Sequence, residues 1–73
     1  MICKVKLVWD RESEAWFTEA EDIPGLHLNS KSFDDLVEKV CQVAPEVLEH
    51  NLEYFGPVNI VFEAERVEQR DMV

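Results

Sequence analysis

Few residues in this chain have a type and spacing suited to catalysis, and each candidate chemistry fails on its surroundings. Asp10, Glu38 and Glu63 are the carboxylates that a two-metal hydrolase would need. Asp10 opens a charged loop, Glu38 falls on the polar side of a helical repeat, and Glu63 points from a strand away from that helix, so the three are not expected to converge. His27 and His50 lack a nucleophile or a second ligand at a recognisable spacing. His50 instead falls where a helix C-terminus favours positive charge, with Asn51 placed to help end that helix. Ser13, Ser30, Ser32 and Thr18 have no Gly-x-Ser-x-Gly elbow and no matching base, and no glycine-rich loop is present to cradle a phosphate. Cys3 and Cys41 lie far apart among apolar residues, which predicts two buried thiols rather than a disulfide, with no metal-ligand spacing around either. The expectation is a non-catalytic protein that holds no metal and no cofactor.

What remains is binding, and charge says to what. Sixteen acidic residues against seven basic give a formal charge of -9. That balance repels nucleic acid and anionic membranes and favours a basic partner, although an acidic surface also serves solubility alone. Trp9 and Trp16 fall at core phase, so base stacking is not expected of them. The first residues carry no long apolar run or cleavage site, and no window approaches the roughly 20 apolar residues of a membrane span, which predicts a cytoplasmic protein. At 73 residues the chain is one small domain, and such a domain buries only about 60% of its unfolded surface. Self-association, as a dimer or higher homo-oligomer, is one way to enlarge so small a core.

The elements follow from periodicity. Cys3, Val5, Leu7 and Trp9 alternate with Lys4 and Lys6, the period of a half-buried strand. The charged run Asp10–Glu14 leads to a second strand from about Ala15 to Glu21, with Trp16, Thr18 and Ala20 on its inner face. Ile23-Pro24-Gly25 reads as a tight turn, because Pro24 fixes its own φ and Gly25 takes the positive φ of a type II turn. Leu26 to Asn29 adds a brief third strand at an edge. Ser32 caps a helix whose first turn carries Asp34 and Asp35. Phe33, Leu36, Val37, Val40, Cys41, Ala44, Val47 and Leu48 form its apolar stripe, with a kink or break expected near Ala44 because Pro45 follows. Gly56-Pro57 marks a loop, and Val58 to Val67 alternates as strand four. Residues 1–67 are thus the domain and 68–73 a frayed tail.

Several short pieces together resemble the HicB-like antitoxins, in particular their short stand-alone members: Val8-Trp9-Asp10, Glu14-Ala15-Trp16, Asp22-Ile23-Pro24-Gly25-Leu26, Ser32-Phe33-Asp34-Asp35-Leu36 and Ala44-Pro45-Glu46-Val47-Leu48. The resemblance implies a truncated ribonuclease-H-like fold. Hairpin neighbours pair antiparallel and a helical crossover returns parallel, so the fold class is α+β with order β-β-β-α-β. Its four-stranded mixed sheet should run 3-2-1-4, with one helix on one face. The resemblance further implies an antitoxin that binds and occludes a small basic mRNA-cleaving toxin. With six residues after Val67, the DNA-binding segment that full HicB antitoxins append is not carried over. The alternative is a toxin-free structural or ligand-sensing homo-oligomer.

Two surface patches are candidates. Glu21, Asp22 and His27, chosen for exposure and charge, are the partner-binding residues. On the sheet face away from the helix, Lys4 and Lys6 would neutralise Glu63 and Glu65. That leaves Val8, Phe17 and Val61 as an apolar centre for self-association through that face, or through the edge of strand three or four.

Overall fold

The computed structural model describes residues 1–71. Its elements are β1 (Ile2–Asp10), β2 (Ala15–Glu19), β3 (Asn29–Ser30), α1 (Phe33–Leu52) and β4 (Asn59–Glu65). The sheet order is β3-β2-β1-β4, with β1 antiparallel to β2, parallel to β4, and β2 antiparallel to β3. The α+β architecture expected from the alternation and the helical crossover is the one observed.

The core lies between one sheet face and α1. Cys3, Val5 and Leu7 of β1 meet Leu36, Val40, Ala44 and Leu48 of α1, and each is no more than 1% exposed. Four-residue spacing keeps that helical stripe on one side. Ile23 and Leu26, from the connection between β2 and β3, complete the core. Neither lies in a strand. They point inward because Leu26 donates its N–H to the carbonyl of Ile23 across the Pro24-Gly25 turn (3.2 Å), and Gly25 has φ +90°. Among the described residues Thr18 is the buried polar side chain: its hydroxyl donates to the Leu26 carbonyl (3.2 Å) and accepts from the Leu28 N–H (3.0 Å). One side chain thereby ties the turn to β2 and satisfies groups that an irregular segment would otherwise leave unpaired.

Ser32 caps α1 as expected, accepting from the Asp35 N–H at 3.2 Å. The Asp35 carboxylate in turn accepts from the Ser30 hydroxyl (2.8 Å) and faces Lys39 at 3.2 Å. The Ser30 hydroxyl, then Lys39, hold the Asp35 carboxyl below its ordinary value. A lowered folded-state value stabilises above the unfolded value and is lost as pH falls through the folded one. The parent should therefore lose stability toward acid more steeply than Asp35→Asn, as read from urea midpoints between about pH 5 and pH 2.

Several expectations are corrected. The helix runs unbroken from Phe33 to Leu52 with Pro45 inside it. The hydrogen bond that Pro45 removes would have gone to the carbonyl of Cys41, and both residues are exposed, so water can serve that carbonyl. Cys41 is exposed rather than buried, because it lies about 100° round the helix from Val40. Cys3 is buried, and that burial, with Asp22 nearby, pushes its thiol upward. A thiol reagent at neutral pH should accordingly modify one cysteine per chain in the native state, Cys41, and two after denaturation. Rapid native modification of Cys3 would contradict this.

The helix ends on Glu53 in the left-handed conformation (φ 52°), not through Asn51. The Asn51 side-chain amide instead donates to the Pro24 carbonyl at 2.9 Å, pinning the turn to the helix. β2 stops at Glu19 rather than Glu21, and β4 spans Asn59–Glu65 rather than Val58 to Val67. The third strand is Asn29–Ser30 rather than Leu26 to Asn29, because Leu26 and Leu28 are held by Thr18 instead of by a regular ladder. The expected tail, 68–73, is exposed and without regular structure as far as Asp71, with Glu68 facing Arg66 at 2.7 Å, and Met72 and Val73 lie outside the described residues.

Candidate functional site

The sheet face opposite α1 is open, and the register decides what it displays. β1 projects Lys4, Lys6 and Val8 on this side. Lys6 pairs with Glu19 of β2 and Glu63 of β4, while Val8 pairs with Phe17 and Glu65. Lys4 lies 4.0 Å from Glu63 and Lys6 3.6 Å from Glu65, the cross-strand pairing expected from the sequence. Both pairs are well exposed and contribute at most about 1 kcal/mol each. Their effect is to occupy the lysines. Among the described residues, Glu19 and Glu21 have no ion-pair partner of their own.

These side chains line a shallow groove of about 260 Å³ formed by Lys4, Lys6, Glu19, Glu21, Asp22 and Glu63. Four carboxylates surround two ammonium groups that Glu63 and Glu65 already face, so the groove favours a cation from outside. The carboxylates come from β2, its exit and β4, and β1 holds them in register. A rigid strand frame fixes their spacing better than a loop would.

Of the three partner-binding candidates, the structure brings Glu21 and Asp22 into this groove. His27 is exposed and is not part of it. Asp22 also has a structural role, because its carboxylate accepts the backbone N–H of Lys4 at 2.9 Å. Since β2 ends at Glu19, opposite Lys6, the Lys4 amide has no strand neighbour on that side, and Asp22 takes that place. Glu19 and Glu63 were not among the sequence candidates for partner contact. Glu19 is placed by the register of the β1–β2 hairpin and Glu63 by the parallel register of β1 and β4, which alternation alone leaves open.

The expected apolar centre is divided. Val8 and Phe17 are directly paired, but Val61 pairs with Lys4, four residues from Val8 and about 13 Å along β1. The charged row of Glu19, Lys6 and Glu63 lies between them, so Val8, Phe17 and Val61 do not form one patch. Of the carboxylates weighed for metal binding, Asp10 is engaged by the Glu12 N–H (3.1 Å) and the Ser13 hydroxyl (2.8 Å) in the β1–β2 loop. Among the described residues no group of three or more His, Cys, Asp or Glu is placed to hold a metal ion. Trp9, Trp16 and Phe33 stack edge-to-face with centroids 5.3 and 5.0 Å apart, and the Arg66 guanidinium covers Trp9 at 4.3 Å. These contacts engage an edge of each ring, and Arg66 lies over one face of Trp9.

A family model described as a domain of unknown function, DUF1902, matches residues 2–72. The chain belongs to that family. Its fold is shared by the hypothetical protein TTHA1013 of the extremely thermophilic bacterium Thermus thermophilus, seen in a crystal structure. That protein is 32% identical with a TM-score of 0.79, over 100% of this chain and 99% of the other. No curated protein matches this DUF1902 chain. No helix among its described residues is long and apolar enough to cross a membrane.

Proposed function

We propose that this DUF1902 chain is a non-catalytic, cytoplasmic protein-binding module of antitoxin type. It binds a small basic protein, with an mRNA-cleaving toxin as the target class that the HicB resemblance implies. The observation that carries the reading is the groove on the open sheet face, where Glu19 and Glu21 present carboxylates that no ion-pair partner occupies. An arginine or lysine of a basic partner would lie between them, next to Asp22 and Glu63. Complementary charge also speeds encounter between an acidic chain of formal charge -9 and a basic enzyme.

Co-expression tests this. The product of a neighbouring small basic reading frame should arrest growth alone and be relieved by this chain, with the complex loosening as salt rises. Absence of relief, or an affinity indifferent to salt, contradicts the reading.

A further inference from the structure

β4 forms one edge of the sheet, with β1 on its inner side and, among the described residues, no strand on the other. Asn59 donates its N–H to the Met1 carbonyl at 2.8 Å, so the odd-numbered residues of β4 turn their amides and carbonyls toward β1. Alternation then points the N–H and C=O groups of Ile60, Phe62 and Ala64 out of the sheet. The edge is seven residues long. It contains no proline, and its register against β1 is continuous from Asn59 to Glu65, without a bulge. Natural edges of this length are usually blunted by such devices. Beside it, α1 leaves an apolar groove of about 390 Å³ lined by Cys41, Pro45, Val58, Ile60 and Phe62.

We propose that this edge takes β4 of a second copy of the chain, antiparallel, about a two-fold axis at Val61. The charge pattern of the strand selects both the occupant and the register. Pairing centred on Glu63 would set Glu63 against itself, and a centre at Phe62 would set it against Val61. A centre at Val61 pairs Val61 with its own copy on the open face and Ile60 with the second copy's Phe62 over the apolar groove. It places Glu63 beside the second copy's Asn59, whose side-chain amide can donate to the carboxylate. Like-charge contacts are thereby avoided and apolar ones matched. The outward N–H and C=O groups of Ile60 and Phe62 find partners across the axis, and the two sheets become one of eight strands. Val61, 43% exposed in the single chain, becomes covered. This surface lies on the opposite side of β1 from Glu19 and Glu21, so the dimer leaves that part of the acidic groove accessible.

Sedimentation of the purified chain at concentrations on the order of 100 µM should show a dimer. Val61→Asp, which sets two carboxylates against each other on the axis, should sediment as a folded monomer with unchanged circular dichroism. In a Cys41→Ser background, Val61→Cys should oxidise to a covalent dimer, because non-hydrogen-bonded antiparallel pairs bring their Cα atoms to about 4.5 Å. Glu63→Cys should not, since in this register its copy lies about 13 Å away along the strand. A parent that is monomeric at these concentrations, a Val61→Asp dimer, or cross-linking by Glu63→Cys in preference to Val61→Cys would each overturn the proposal.

Discussion

Ile23→Ala should remove about 3 kcal/mol of stability, although Ile23 belongs to no helix or strand. Its side chain is completely buried and packs in the same cluster as Leu7, Leu36 and Leu48. Truncating a buried isoleucine loses the transfer free energy of three carbons and leaves a cavity, together about 2–5 kcal/mol. A domain of this size has only about 4–11 kcal/mol in total, so the loss is a large share. The urea midpoint should fall by about 2–3 M for a slope near 1 kcal/mol/M, while Ile23→Val should cost about 1 kcal/mol. An Ile23→Ala midpoint within about 0.3 M of the parent would mean that the turn does not plug the core.

Gly25→Ala should cost nearly as much, for two reasons that add. At φ +90° a side chain is strained, a penalty of about 1–2 kcal/mol. A Cβ there would also lie 2.8 Å from Nδ2 of Asn51, the atom that donates to the Pro24 carbonyl. The amide must move, and the hydrogen bond joining turn to helix goes with it, for about 1 kcal/mol more. Asn51→Ala should show only this second part. Denaturant midpoints of the two single variants and the double variant separate the contributions: with Asn51 already truncated, Gly25→Ala should cost only the strain. Equal costs in both backgrounds would show that the turn and the helix are not coupled through Asn51.

Both results bear on what the sequence made legible. Period-two alternation in Cys3–Trp9 and in the β4 region, and the spacing of Leu36, Val40, Ala44 and Leu48, identify the elements, because burial of one face forces those patterns, and the hairpin and crossover rules then order the strands as 3-2-1-4. The Pro24-Gly25 turn was legible as a turn, since its backbone needs are specific to those two residues. What it does with its flanks is legible only in part: Leu26 alternates with His27 and Leu28 and is buried as that pattern implies, whereas Ile23 has no periodic signal, and the turn that buries it is held by Thr18 and Asn51. Cys41 is exposed for a related reason. An apolar residue next to a stripe looks like part of it in sequence, but Cys41 lies about 100° round the helix from Val40 and lines the groove beside β4. The helix is not broken at Pro45, since the carbonyl left without its donor belongs to the exposed Cys41.

The candidate site was legible in sign but not in geometry. Net charge pointed to a basic partner, and Glu21 and Asp22 do line the acidic groove. Glu19 and Glu63 join them through strand register. In sequence Asp22 is one more surface carboxylate, whereas in the fold it stands in for a missing strand at the Lys4 amide. Variants of Asp22 would therefore confound binding with folding, and Glu19 and Glu21 are the positions that separate the two.

The most direct test compares the parent with the Glu19→Lys/Glu21→Lys double variant, each purified under native conditions from the source cell and analysed by mass spectrometry. A small basic protein should co-purify with the parent in near-stoichiometric yield. Its recovery should drop by about tenfold or more with the folded double variant and fall as salt in the wash is raised. Recovery of the chain alone, or of a partner held equally by parent and double variant, would contradict a protein-binding role for the acidic face.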